Sequence, residues 1–198
     1  MRWKILSSET RFQGFLRLDA VELTHETFAG GDDLRIHREC LDRKHAVGVL
    51  AFDPLRDELV MIEQFRIGPA LNGDADPWQL EIIAGYTEPG ESAEEVIHRE
   101  ALEEANIEIQ DPVAIHEYYS SPGSSTETIK VYAAKTDTSS AGGVHGLDTE
   151  GEDIKVHVLK TAEAFELLDQ GKVRSAMPII ALQWFRANRA SLVSRWAG

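Results

Sequence analysis

The sequence predicts a mixed α/β protein, and three observations lead to that expectation. Short runs rich in Val, Ile and Leu alternate with turn residues, as strands do. Residues 92–105 show apolar side chains at the spacing of an amphipathic helix. The chain has 198 residues, of which 42% are hydrophobic and 27% charged, so a packed core is expected and wholesale disorder is not.

The elements are predicted in order along the chain. Residues 1–45 combine β-prone and aromatic residues with charge, and Gly30-Gly31-Asp32-Asp33 divides them, which predicts a hairpin-like meander. We therefore divide the chain into a β-rich segment, residues 1–45, and a domain, residues 46–198. In the domain the predicted strands are 46–52, 58–65, 80–84, 114–119, 128–134 and 153–159, and the predicted helices are 92–105, 162–170 and 178–191. Residues 137–151, diluted by Gly and Ser, predict a long surface loop or lid.

Charge and composition exclude several classes of partner. Twenty basic and 34 acidic residues give a formal charge of −14, which repels nucleic-acid phosphates and anionic lipids. We expect neither as a partner. No apolar stretch approaches the ~18 residues of a membrane span and no signal peptide is recognisable, so a cytoplasmic protein is expected. The single cysteine, Cys40, predicts neither a disulfide nor a zinc site.

The strongest chemical signal is the acidic predicted helix. Ser92 and Glu95 have the spacing of a capping box, which predicts where the helix begins. Glu100, Glu103 and Glu104 then share one side of it. Such a run is often only a solvated face, but crowded carboxylates are also the hard oxygen ligands of a divalent cation, and Arg99 can pair with Glu103 to offset part of the charge.

A longer pattern contains this helix. Gly85 is followed after five residues by Glu91, and after seven more by Arg99-Glu100-Ala101-Leu102-Glu103-Glu104-Ala105-Asn106-Ile107. This run resembles the Nudix box over 23 positions, with every charged position filled. Asn106 stands where the box has glycine, and asparagine tolerates the left-handed conformation at a helix end.

The resemblance implies a fold and a chemistry. Nudix hydrolases are α/β/α sandwiches with a mixed sheet, and they cleave a nucleoside diphosphate linked to another moiety using Mg²⁺ or Mn²⁺. The metal ligands implied here are Glu100, Glu104 and the backbone carbonyl of Ala84, with Glu103 as a further contributor.

The residues after the box indicate the substrate. Ser121-Pro122-Gly123, with Pro122 15 residues beyond Ile107, resembles the ADP-ribose pyrophosphatase subfamily, as do Gly143-Val144-His145-Gly146-Leu147 and Glu150-Gly151-Glu152-Asp153. The resemblance implies hydrolysis of ADP-ribose to AMP and ribose 5-phosphate, with Pro122 and Gly123 at the substrate. An ordinary turn would also explain Pro and Gly here. The alternatives are another nucleotide sugar such as GDP-mannose, or a non-catalytic nucleotide-sensing domain.

Other candidate substrate contacts lie outside the box. Arg66 follows a predicted strand, where it could bind a diphosphate or form a salt bridge. Similar ADP-ribose pyrophosphatases are homodimers that exchange their N-terminal regions, so Phe15 and Phe28 are candidates to stack on the partner's adenine. Aromatic residues in β-prone runs are otherwise usually part of a core.

The base that activates water is expected outside the metal ligands. In similar enzymes the glutamates of the late loop supply a base and a metal contact, which implies Glu150 as base and Glu152 as supporting ligand. A solvated acidic loop is the alternative. The base would then be sought among Glu103, Glu127 and His145.

Overall fold

The computed structural model describes residues 1–147, 149 and 151–196. The chain divides into two compact units. The N-terminal unit consists of Met1–His45 and Tyr118–Thr128, and the larger unit consists of Ala46–Glu117 and Ile129–Gly198. Residues 118–128, which we assigned to the domain from the sequence, therefore cluster with the N-terminal segment.

The N-terminal unit contains the antiparallel meander that its turn residues predict. Its strands are β1 (Trp3–Gln13), β2 (Arg17–His25) and β3 (Leu34–Asp42), in the order β1-β2-β3. Every residue of β1 is exposed. The pairing of β1 with β2 shifts register twice, between Ile5 and Ser7 and between Thr10 and Phe12.

Apolar side chains of the N-terminal unit face solvent in unusual number. Phe15 is 90% exposed and Phe28 is 97% exposed, so the expectation that they belong to a core is wrong. The other large apolar residues exposed in this unit are Met1, Trp3, Ile5, Leu6, Phe12, Leu34 and Tyr119. Many exposed apolar side chains in one small unit are typical of an interaction surface.

The larger unit is built on a mixed sheet. Its strands are β4 (Ala46–Asp53), β5 (Glu58–Phe65), β6 (Trp78–Glu81), β7 (Ile83–Tyr86), β8 (Ile109–Tyr119), β9 (Thr128–Thr136), β10 (Gly143–His145) and β11 (Ile154–Lys160). The order is β10-β11-β5-β4-β9-β8, with β6 beside β5 and β7 beside β4. Strands β4 and β9 are parallel, whereas β4 is antiparallel to β5 and β7.

Helices cover both faces of this sheet, which confirms the predicted α/β/α sandwich. They are α1 (Ile67–Leu71), α2 (Ala93–Ala105), α3 (Thr161–Asp169) and α4 (Ala176–Trp196). Side chains alternate between the faces of a strand. Val49 and Ala51 therefore share a buried cluster with α2, whereas Phe52 meets Phe185 of α4 with ring centroids 4.8 Å apart.

Several predicted elements differ from the structure. The run predicted as one strand, 80–84, is two strands interrupted at Ile82, because β6 pairs with β5 and β7 pairs with β4. The predicted loop at 137–151 contains the short strand β10, which pairs with β11. Helix α1 was not predicted, and α4 extends beyond the predicted helix at both ends.

In the part of the chain that the structure describes, no helix has both the length and the apolar character needed to cross a membrane.

Candidate active site

Both ends of helix α2 are defined by local contacts. The hydroxyl of Ser92 accepts a hydrogen bond from the Glu95 backbone N–H, and the Glu95 carboxylate accepts one from the Ser92 N–H at 2.8 Å. The predicted capping box is therefore confirmed. Asn106 ends the helix in the left-handed conformation, with φ of 50°. The buried apolar face consists of Val96, Ile97, Ala101 and Ala105, and its position determines where the acidic side chains project.

Glu104 is a buried carboxylate on that helix. It is 2% exposed, and its Oε2 accepts a hydrogen bond from the Ala84 backbone N–H at 2.9 Å. Burial raises the pKa of Glu104 to about 8; the hydrogen bond from Ala84 opposes the shift, while Glu100 and Glu152 increase it. A positive charge bound beside it would reverse the shift.

Glu100 lies one turn before Glu104 and against the strand of Gly85. A Cβ atom on Gly85 would collide with the Glu100 carboxylate, so the glycine is needed for this close approach. Burial raises the pKa of Glu100 against the opposing effect of Arg99, and Glu103 and Glu152 add to the rise. Two carboxylates with raised pKa values therefore lie close to each other at this helix.

Arg99 connects the acidic residues of the box. Its guanidinium contacts Glu100 at 2.6 Å and Glu103 at 3.1 Å, so the predicted pairing with Glu103 is confirmed. It also contacts Glu91 at 3.0 Å and donates to the Tyr86 carbonyl at 3.3 Å. Arg99 thus joins the loop before α2 to the carboxylates on α2.

The loop after β9 approaches the same carboxylates. Gly146 N–H donates to the Glu103 carbonyl at 3.3 Å, and Leu147 N–H donates to Glu152 Oε2 at 3.2 Å. Glu152 raises the pKa values of both Glu100 and Glu104, so the structure brings it near them. His145 instead contacts the Gly142 carbonyl within its own loop, at 2.7 Å.

Arg66 forms a salt bridge at the end of β5. Its Nη2 lies 2.7 Å from Glu81 Oε2 and its Nε lies 3.0 Å from the same oxygen. Arg66 is near enough to Glu104 to lower its pKa. Of the two predicted alternatives for Arg66, the structure shows the salt bridge. Its guanidinium lies near Glu104 of the acidic helix α2.

The carboxylates of the candidate active site have the chemistry that a divalent cation requires, although the described side chains are not arranged as a complete set of ligands. Among the described residues, no three His, Cys, Asp or Glu side chains are grouped so that they could hold a metal ion. Arg99 contacts Glu100 and Glu103, and Ala84 N–H contacts Glu104. The donors are nevertheless carboxylate oxygens, whose burial and mutual repulsion a hard cation would relieve. Glu100, Glu104 and Glu152 are the side chains that would hold it.

The predicted substrate residues Pro122 and Gly123 belong to the N-terminal unit, where they form a turn. Ser124 N–H donates to the Ser121 carbonyl at 3.0 Å, and Leu41 N–H donates to the Ser124 carbonyl at 2.8 Å. The turn is therefore attached to β3. Nearby in sequence, Glu127 is 6% exposed and lies 3.3 Å from the Arg43 guanidinium.

The structure does not describe the predicted base role of Glu150 or the predicted metal contact of the Ala84 carbonyl. Glu150, the predicted base, lies outside the described residues. The contact that the structure gives for Ala84 is through its N–H group, so the metal-binding role of its carbonyl stays a prediction.

The family assignment follows from comparison with known proteins. The model of the NUDIX domain matches residues 42–186. The chain belongs to the Nudix family. This Nudix protein is 39% identical to an ADP-ribose pyrophosphatase of Escherichia coli K12, over 98% of this chain and 92% of the relative. It is 33% identical to a GDP-mannose pyrophosphatase of Cronobacter sakazakii, over 77% and 79% of the two chains.

A solved structure supports the fold. A crystal structure of an ADP compounds hydrolase matches this Nudix protein with a TM-score of 0.75 over 96% of each chain, at 20% sequence identity. The likeness concerns the arrangement of the strands and helices described above.

Sequence reasoning did not identify the partner of Arg66 or the burial of Gln64. The salt bridge of Arg66 was one of the two predicted alternatives, but no local pattern marks Glu81, in β6, as its partner. Gln64, within the same Glu63-Gln64-Phe65-Arg66 run, is a buried polar residue that the apolar strand pattern hides.

Proposed function

We propose that this Nudix protein hydrolyses the diphosphate of ADP-ribose to AMP and ribose 5-phosphate, with Mg²⁺ as its cation and Mn²⁺ as a substitute. The observation that carries the proposal is the buried Glu104, which Glu100 and Glu152 approach on one side of α2. The resemblance to an ADP-ribose pyrophosphatase over 98% of the chain supports the choice of substrate.

The proposal gives each candidate residue of the chain a role. Glu100, Glu104 and Glu152 hold the cation, with the Ala84 carbonyl as a further ligand. A bound divalent cation neutralises diphosphate charge and makes a coordinated water more acidic. Glu150 accepts a proton from the attacking water, and Glu103 is the alternative base on α2. Arg66 releases its salt bridge to Glu81 when substrate binds. Its planar guanidinium then donates two hydrogen bonds to the diphosphate.

We further propose that the protein is a homodimer and that the N-terminal segment, residues 1–45, forms its interface. The exposed apolar side chains of β1 support this, because a solvated monomer would leave them uncovered. Phe15 and Phe28 contact the adenine bound by the partner subunit. The turn of Pro122 and Gly123 also contacts substrate.

Hydrolysis of another nucleotide sugar is the second candidate, favoured by the 33% identity to a GDP-mannose pyrophosphatase. A non-catalytic sensor is the third, although each carboxylate of the box is present. A panel of nucleotide sugars separates them. Purified protein with Mg²⁺ is expected to act on ADP-ribose with a higher kcat/KM than on GDP-mannose, and not at all with excess chelator. A higher kcat/KM on GDP-mannose than on ADP-ribose would favour the second candidate over the first. Nucleotide-sugar binding without turnover would favour the sensor.

A further inference from the structure

Gln64, in β5, carries a buried amide nitrogen for which the described residues provide no hydrogen-bond partner. The residue is 6% exposed, and its Nε2 atom is shielded from solvent. Among the residues that the structure describes, none offers Nε2 a hydrogen-bond acceptor. An unpaired buried donor lowers stability because it has lost its hydrogen bonds to water, so native proteins rarely retain one without a reason. Such a group indicates a partner that arrives in another state of the protein.

The strand pattern places Gln64 at the edge of the core beneath α2. Val60 and Ile62 belong to the buried cluster that includes α2, and Gln64 follows on the same face because side chains alternate along a strand. Lys155 pairs with Glu63, so Gln64 lies beside Ile154, the first residue of β11. The apolar cluster therefore ends at Gln64, on the face of the sheet that carries the acidic helix.

Three carboxylates of the candidate active site differ in the length of the contacts that hold them. Glu81 is paired with Arg66 at 2.7 Å, and Glu104 is bonded to Ala84 N–H at 2.9 Å. Glu152 precedes Ile154 by two residues, and its bond to Leu147 N–H is the longest of the three, at 3.2 Å. Of these carboxylates, Glu152 is therefore the one most easily turned toward a new donor.

We propose that Gln64 is a positioning residue of the metal site, whose Nε2 donates a hydrogen bond to the Glu152 carboxylate in the cation-bound protein. The inference rests on the proposed function, in which Glu152 is a ligand. Carboxylates that ligate metals are commonly fixed by hydrogen bonds of this kind, and losing one costs about 10–100-fold in metal affinity. Gln64 thus acts on the cation through Glu152 and not by direct contact.

Gln79 provides a matched control. It lies directly opposite Gln64 in β6 and is 7% exposed. Its Nε2, however, donates to the Trp78 carbonyl at 3.1 Å. The two residues share side-chain chemistry, burial and strand register, and differ in whether the amide is satisfied within the protein.

The experiment measures Mn²⁺ affinity by electron paramagnetic resonance, together with the melting temperature without metal. Gln64→Leu is expected to weaken Mn²⁺ binding about tenfold or more and to leave the melting temperature unchanged or higher, because an unpaired buried donor is removed. Gln79→Leu is expected to lower the melting temperature and leave Mn²⁺ affinity near that of the parent. Unchanged Mn²⁺ affinity in Gln64→Leu would overturn the proposal.

A double-mutant cycle tests the route through Glu152. In a Glu152→Ala background, Gln64→Leu is expected to cause no further loss of Mn²⁺ affinity, because its partner is already gone. An undiminished further loss would show that Gln64 does not act through Glu152. Failure of the parent protein to bind Mn²⁺ would instead count against the proposed metal site itself, which keeps the two conclusions separable.

Discussion

The Glu100 carboxylate occupies the space that a Cβ atom on Gly85 would fill. This relationship explains in physical terms why the box begins with glycine. Gly85 lies in β7 and Glu100 on α2, so the absence of one side chain allows a carboxylate of the helix to rest against the strand. The position of Glu100 therefore depends on a residue with no functional group.

Gly85→Ala is expected to displace Glu100 and lower kcat about 100-fold, since a shift of about 1 Å in a reacting group can cost that much. Mn²⁺ affinity should fall as well. Gly68→Ala is the control, because a Cβ atom there meets nothing within 4 Å. Turnover of Gly85→Ala at the parent rate would contradict the prediction that Glu100 needs the space beside Gly85.

Glu104→Gln is expected to abolish most activity while the fold remains. The substitution removes a charged ligand, so turnover should fall by a factor of about 10² or more. Stability without metal should not fall, because burial already raises the pKa of Glu104 to about 8 and an amide avoids the cost of a buried charge. Thermal denaturation and steady-state kinetics test both effects.

The control for Glu104→Gln is Glu94→Gln, an exposed glutamate in the first turn of the same helix. It should retain activity near the parent level. If Glu104→Gln hydrolysed ADP-ribose comparably to this control, the metal site would have to be sought elsewhere.

Asn106 departs from the box glycine, and its left-handed conformation predicts a stability series. Asn106→Gly should match or exceed the parent in free energy of unfolding, because glycine adopts positive φ without strain. Asn106→Ala should lose about 1 kcal/mol. Urea denaturation measures both, and an alanine variant as stable as the glycine variant would contradict the prediction.

Asp53 predicts how stability depends on pH. It is 1% exposed; burial raises its pKa, but hydrogen bonds from Thr138, Arg56 and Leu55 outweigh burial and lower the pKa to about 2. Because the folded pKa lies below the unfolded value of 3.8, the stabilisation is present above about pH 4 and is lost as pH falls through about 2.

Asp53→Asn tests this dependence. The free energy of unfolding of the variant should be lower than that of the parent at pH 7. About 2 kcal/mol of this difference should depend on pH. That part should shrink as the pH is lowered from 4 toward 2. Denaturation at several pH values provides the measurement, and a constant difference across this range would assign the effect to packing.

The N-terminal surface predicts a dimer. Light scattering should give twice the chain mass of 22.0 kDa. Phe12→Ser, at a residue 60% exposed, should shift the equilibrium toward monomer and lower activity in parallel. Leu55→Ser, at a residue 83% exposed in the larger unit, is the control. A fully active monomer would exclude the proposed interface.

Helix α2 could be predicted closely because its signals are local. Ser92, Glu95 and Asn106 determine where it begins and ends through contacts within one turn of the chain. The spacing of Glu100, Glu103 and Glu104 then follows from helical geometry alone. The positions of these glutamates on one side of the helix could therefore be predicted before any tertiary structure was known, and their role as metal ligands stays a prediction.

Features that depend on distant pairings could not be predicted in this way. The break at Ile82 arises because β6 pairs with β5 whereas β7 pairs with β4. A continuous apolar run in the sequence does not reveal these pairings. Likewise, β10 forms only because β11 lies beside it, and Gly and Ser in its vicinity are typical of a loop. The missing partner of Gln64 is visible only once its whole environment is known.

The two register shifts in β1 influence how its exposed edge can pair with other strands. A straight, unpaired apolar edge offers evenly spaced N–H and C=O groups to any other strand, and so promotes aggregation. Interruptions near Ile5 and Phe12 limit the stretch that another edge can match. The two register shifts therefore reduce the tendency of this exposed apolar edge to pair with the edge strands of other chains.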